Sequence, residues 1–268
     1  MAQSNYRQRK AELLAGLSAK SEASPQRVGL VLKALLQLTD TTLIDLWHNS
    51  GLGTSMVLAA VGGFGRGELF PYSDIDVLVL LPAGSVDELD GATREKLEGF
   101  ITSCWDHGLE IGSSVRTLTE CLQESQADIT VQTALLESRF LVGDSTLYQR
   151  FLEQFRAFIN PRAFFIAKTL ELRQRHTKYD NTPYSLEPNC KESPGGLRDL
   201  QIILWVARAA GLGESWDALV RTGIATAHEA RHIKRNEALL SLIRARLHLL
   251  ARSEEHTSEL QSRETISY

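Results

Sequence analysis

The chain has 268 residues, enough for one large domain or two modest ones, and 43% of them are apolar, an ordinary share for a protein that buries a core. No window approaches ~18 consecutive apolar residues, and the N-terminal MAQSNYRQRKAELLAG lacks a charged-then-apolar leader, which argues against a membrane span or a secretory signal and leads us to expect a cytoplasmic protein. The formal net charge of -4, from 29 basic and 33 acidic residues, lacks the basic excess of a long nucleic-acid footprint, so neither nucleic acid nor membrane is expected as a partner.

Apolar residues recur at helical spacing from Asn5 to Leu17 and from about Pro25 to Trp47, which predicts two amphipathic helices, the second started by Ser24 as N-cap and Pro25 at the first helical position. Gly51 and Gly53 break that pattern, and Met56 to Val61 is an apolar run of strand length. After a glycine turn, Ile75 to Leu81 predicts a second strand, apolar on both faces beyond Asp76 and therefore central in its sheet. Leu89, Leu97, Phe100, Ile101, Cys104 and Trp105 mark a helix expected to pack on that sheet, and Leu109 to Thr117 (LEIGSSVRT) reads as a third strand turned in by Gly108. Beyond Thr119 no strand is evident; Ile129–Leu141, Thr146–Phe158, Arg162–Tyr179, Leu197–Ala210 and His228–Leu250 read as helices.

The loop from Tyr184 to Gly196 (YSLEPNCKESPGG) frames charged residues with prolines and glycines, the composition of a functional loop. Cys104, Cys121 and Cys190 are odd in number and widely spaced, so they are expected to be reduced and structural. His228 and His232, at i and i+4 without a neighbouring acid, read as an exposed pair on a helix.

The densest chemistry lies in Val61 to Leu81, VGGFGRGELFPYSDIDVLVLL. Gly62, Gly63, Gly65 and Gly67 permit positive φ angles and let backbone N–H groups approach phosphate oxygens. Asp74 and Asp76 alternate along an extended segment, so both carboxylates share a face and repel unless a cation lies between them. Mg²⁺, which takes carboxylate and phosphate oxygens, fits such a pair and can neutralise a leaving pyrophosphate. A glycine turn, an Asp-x-Asp pair and an aliphatic strand together supply what nucleotidyl transfer needs. No GxxxxGK[ST] or GxGxxG pattern is present, which sets aside P-loop and dinucleotide readings. Arg66 and Arg116 are candidate forks for a triphosphate, or structural ion-pair partners. Arg139 falls on the expected helix, where an intrahelical pair is the commoner outcome, and Lys191 and Arg198 could reach nucleotide or protein substrate.

GGFGRGELFPYSDIDVLVL resembles the signature of polymerase-β-type nucleotidyltransferases, and its GRGEL-x-P-x-SDID form resembles the bacterial PII uridylyltransferase/uridylyl-removing family. LEIGSSVRT, DITVQTALLESRFLVGD (Asp128–Asp144) and LEPNCKESPGGLRDLQIILWVARA (Leu186–Ala209) match that family in the same order. The resemblance implies an α+β architecture: N-terminal helices (1–54), a small mixed-sheet nucleotidyltransferase domain (55–145) and a helical region (146–251). It implies transfer of UMP from UTP to a tyrosine of the PII signal protein, with Mg²⁺ and release of pyrophosphate. Carried over, Asp74 and Asp76 would bind metal, Gly62 and Gly63 would hold phosphates, Gly65, Arg66, Ser73 and Arg116 complete the nucleotide-binding set, and Glu110 is the candidate third carboxylate, as ligand or base.

The family's HD hydrolase and ACT sensor patterns are not visible, so only the transferase half is expected. Protein adenylyl transfer by the same site and nucleotide binding without turnover are the alternatives. The segment 252–268 changes character; RSEEHTSELQS is similar to a translated sequencing-adapter oligonucleotide, and the segment is expected to be non-native, with the natural chain continuing beyond it.

Overall fold

The computed structural model describes residues 3–18, 24–84, 88–184 and 189–251; the segment 252–268 and residues 185–188 of the long loop lie outside the described residues. The chain divides into two compact units. The first draws on residues 1–16, 31–69 and 74–158, the second on 17–30, 70–73 and the chain from 159 onward.

The first unit is built on a four-stranded mixed sheet of β1 (Val57–Ala60), β2 (Ile75–Leu81), β3 (Ile111–Thr117) and β4 (Arg139–Gly143), in the order β3-β2-β1-β4. β1 runs antiparallel to β2 and β4, and β2 runs parallel to β3 with Ile75 opposite Ile111 and Asp76 opposite Gly112. β2 is internal, as its two-sided apolar run predicts: every residue from Val77 to Leu81 is buried, and Asp76 is the exposed exception.

Most of α1 (Gln3–Ser18) and α2 (Pro25–Asn49), with α3 (Gly62–Gly65), α4 (Gly91–Asp106), α5 (Leu118–Ala127), α6 (Ile129–Leu136) and α7 (Ser145–Phe158), belong to this unit. Ser24 caps α2 as expected, its Oγ accepting the Arg27 N–H at 3.2 Å. The apolar stripe of α4 buries Leu97, Phe100 and Cys104, and Phe100 meets Trp47 of α2 edge-on at 5.3 Å between ring centroids. Tyr6 and Thr39, hydrogen-bonded at 3.1 Å, tie α1 to α2.

Three expectations are corrected. The helix expected over Ile129–Leu141 stops at Leu136, and Arg139–Gly143 forms β4 on the edge of β1; an apolar run of this length satisfies either period, and pairing with β1 decides it. Arg139 therefore makes no intrahelical pair. It grips Asp40 of α2 with two bonds of 2.8 and 3.0 Å. Trp105, expected on the buried stripe of α4, is 57% exposed at the helix's C-terminal end. The periodicity also passed over α5, whose Thr117–Glu120 capping box was a readable start signal.

The second unit holds α8 (Pro161–Lys178), α9 (Leu197–Ala209), α10 (Trp216–Arg221) and α11 (Ala227–Ala251). α10, started by Ser215, was not anticipated from the sequence. Lys168 of α8 is buried but not bare: it pairs with Glu171 at 2.7 Å and lies 4.8 Å from the centroid of the Trp205 ring on α9. His228 and His232 are both exposed on α11. Among the described residues no helix is long and apolar enough to cross a membrane.

Candidate active site

At the start of β2 the alternation of the strand buries Ile75 and leaves Asp74 and Asp76 exposed on its two sides in sequence, so both carboxylates face the same way. Asp76 sits between two residues that carry no side chain. A Cβ on Gly62 would lie 3.4 Å from Asp76 Oδ2, and one on Gly112, its partner across β3, would lie 2.7 Å from Oδ1. The two glycines thus leave the space the carboxylate occupies. Asp74, Asp76, Glu110, Ile111, Gly112 and Trp105 line an open recess of about 360 Å³.

Glu110 and Trp105 reach this recess through the way α4 ends. Gly108 takes a φ of +84°, the Leu109 N–H donates to Cys104 O at 3.0 Å, and the Gly108 N–H donates to Trp105 O at 2.8 Å. This is a Schellman turn, closed by the burial of Leu109 and Cys104. It reverses the chain so that the last turn of α4 and the first residues leading into β3 border the same opening. Glu110 lies one residue before β3, not within it, and its carbonyl accepts the Ile75 N–H at 2.9 Å.

The glycine-rich stretch is a single helical turn, α3, and not an open loop. Gly62 has a φ of +57°, which favours glycine. The N–H groups of Gly62 and Gly63, in the first turn of α3, have no acceptor within that turn. Gly65 serves packing: its N–H donates to Val61 O at 2.9 Å, and a Cβ would run into the backbone oxygens of Glu137 and Ala60. Arg66 donates to Glu68 at 2.8 Å and to the buried Glu137 carboxylate. Burial opposes its charge, but Glu68 and Glu137 outweigh that and hold its pKa above the ordinary value. Of the two roles open to Arg66, the structure displays the ion pair.

Of the remaining candidates, Arg116 of the first unit is not among the residues that line the recess. Arg116 pairs with Leu80, four residues along from Asp76, about 13 Å up the strand. Ser73, Lys191 and Arg198 belong to the second unit. There Arg198 bonds Glu192 at 3.0 Å and Gln201 at 2.9 Å, while Asp199 accepts from Arg175, from His176 at 3.0 Å and from the Gly195 N–H at 2.7 Å, binding the loop to α8. Burial acts to raise the Asp199 pKa, but the bonds from Arg175, Gly195 and His176 hold it below the ordinary carboxylate value.

Sequence reasoning did not find Trp105, Gly112 or Lys10. Burial lowers the Lys10 ammonium from its ordinary pKa, and the charge of Glu110 acts in the opposite direction. Lys10 carried no sequence signal, because it comes from a helix 100 residues away. The thiols of Cys104 and Cys121 are buried and pushed up to about 12 by desolvation, as inert structural cysteines should be.

The chemistry of the recess suits a hard divalent cation. Two exposed carboxylates share a face, and bare glycines on both sides leave the space that the Asp76 carboxylate occupies. Among the described residues no three His, Cys, Asp or Glu side chains form a ready cation cage, so Glu110 shares the recess without closing the set. Nucleotidyltransferases as a superfamily generally use a divalent metal.

Comparison with known proteins agrees with this geometry. A nucleotidyltransferase domain model matches residues 52–130, which contain the glycine turn, both aspartates and Glu110. A model described as GlnD PII-uridylyltransferase matches residues 163–267. The chain is 54% identical over 246 residues to a bifunctional uridylyltransferase/uridylyl-removing enzyme of Burkholderia mallei (strain ATCC 23344), covering 92% of this chain and 28% of the relative. The same identity and coverage hold for the enzyme of that name from Burkholderia thailandensis, and the identity is 53% for that of Burkholderia pseudomallei (strain 668). The chain thus spans somewhat more than a quarter of the length of the curated relatives it matches, and it carries a nucleotidyltransferase domain match within a sequence similar to the uridylyltransferase/uridylyl-removing enzymes.

Proposed function

We propose that this chain transfers UMP from UTP to a tyrosine of the PII signal protein and releases pyrophosphate. The observation that carries the reading is the exposed Asp74/Asp76 pair set against Gly62 and Gly112, within a chain whose relatives are named uridylyltransferases. Asp74 and Asp76 would hold Mg²⁺, which would neutralise charge on the triphosphate and on the departing pyrophosphate. The first-turn N–H groups of Gly62 and Gly63 receive phosphate oxygens.

The tyrosine oxygen forms a bond to the α-phosphorus while the bond from that phosphorus to the bridging oxygen breaks, and the electron pair leaves on pyrophosphate. The phenolic proton passes to a base, and Glu110, exposed in the recess, is the carboxylate we assign to it. Free, buried thiols and the sequence reading above fit a cytoplasmic setting.

Incubation of the chain with PII, Mg²⁺ and either labelled UTP or labelled ATP tests the assignment. Label on a PII tyrosine from UTP is expected. Label from ATP instead would favour adenylyl transfer, and label from neither would contradict the reading.

A further inference from the structure

We infer that Trp105 contacts the acceptor, forming with Glu110 a subsite for the polypeptide segment that presents an aromatic hydroxyl. The inference rests on the reading of the site as a nucleotidyltransferase with a protein tyrosine as acceptor.

Tryptophan is ordinarily well covered in a folded protein. Trp105 is 57% exposed although the next residue toward the helix interior, Cys104, is fully buried, and it lines the recess with the aspartates and Glu110. Its backbone is fixed, because the Schellman turn takes its carbonyl as an acceptor from Gly108 and the neighbouring Cys104 carbonyl as an acceptor from Leu109. A bulky, amphipathic ring is therefore held at the mouth of a charged recess on a rigid base.

Its place relative to β2 selects its partner. Asp76 has Gly62, which opens α3 just after β1, against one carboxylate oxygen and Gly112, on β3, against the other. The phosphate-receiving glycines thus lie on the β1 side, and Glu110 and Trp105 lie on the β3 side of the same carboxylate. In-line displacement puts the incoming oxygen and the departing pyrophosphate on opposite sides of phosphorus. With the pyrophosphate toward the glycines, the acceptor oxygen enters from the side of Glu110 and Trp105. An exposed indole there offers an apolar, edge- or face-stacking surface to the aromatic ring that bears the hydroxyl.

The test is a split of kinetic constants. Trp105→Ala should raise KM for PII about tenfold, with KM for UTP and the thermal midpoint unchanged, and Trp105→Phe should restore most of the loss. A raised KM for UTP with an unchanged KM for PII would overturn the inference and move Trp105 to the nucleobase. Unchanged values for both would overturn it as well. A Kd for PII, measured without turnover in the full chain and in Trp105→Ala, separates the inference from its parent. Wild-type binding that weakens about tenfold in the variant supports the contact even where no label transfers, whereas binding of equal strength, or no wild-type binding, contradicts it.

Discussion

Asp76 and Gly112 stand opposite each other on β2 and β3, and the space that a Cβ on Gly112 would fill is taken by the Asp76 carboxylate, 2.7 Å from that position. Strand pairing thus sets the pose of an exposed carboxylate through the absence of another side chain. Gly112→Ala should displace the carboxylate and lower kcat by about tenfold or more, since small misplacements of reacting groups are costly. The backbone at Gly112 has no positive φ, so the thermal midpoint should change little. Equal activity in Gly112→Ala would show that the carboxylate does not need that space.

Arg66 and Glu137 make a second testable pair. Glu137 is 3% exposed and holds the Arg66 guanidinium beneath the glycine turn. Glu137→Gln should destabilise the first unit by about 2 kcal/mol, the loss expected for a buried charge-assisted hydrogen bond, read as a lower urea midpoint. KM for UTP should be unchanged in the folded variant. A raised KM with an unchanged midpoint would mean that Arg66 serves the nucleotide instead.

Asp199 sets a pH dependence in the second unit. Its carboxylate is held below the ordinary value of 3.8 in the folded chain. A group whose folded pKa is depressed contributes stability that is present above the unfolded pKa and fades as pH falls through the folded one. Thermal stability should therefore decline as pH drops below about 4. Asp199→Asn should lower the midpoint near neutral pH and flatten that decline; an equally steep decline in the variant would assign the acid sensitivity to other groups.

The features legible in the sequence were those fixed by local chemistry. Ser24 and Pro25 announced α2, and the aliphatic run after Asp76 announced an internal strand, because capping and two-sided burial leave direct marks on residue type. What pairing decides was less visible. Arg139–Gly143 becomes β4 only because β1 offers it an edge, and nothing between Leu136 and Arg139 resembles a glycine or proline stop. The stretch Gly62–Gly65 reads as a glycine turn and not as helix, because glycine disfavours helix, yet the close fit of Gly65 against Ala60 and Glu137 holds one helical turn there.

The site shows the same division. Asp74 and Asp76 are spaced by a strand's own period and could be placed without a structure. Trp105 and Gly112 join them only through the Schellman turn and the parallel register of β3. The sequence leaves Arg66 between a phosphate contact and an ion pair, because its carboxylate partner 71 residues away has no local signature.

The proposed transfer of UMP by Asp74 and Asp76 with a divalent cation is tested by comparing the chain with Asp76→Asn in labelling of PII from UTP. The substituted side chain is exposed and nearly isosteric, so circular dichroism and the thermal midpoint should match the unsubstituted chain. Label on a PII tyrosine is expected from the unsubstituted chain with Mg²⁺, lost on chelation, and reduced by at least about a hundredfold in Asp76→Asn. Transfer that survives both chelation and the substitution would contradict the assignment.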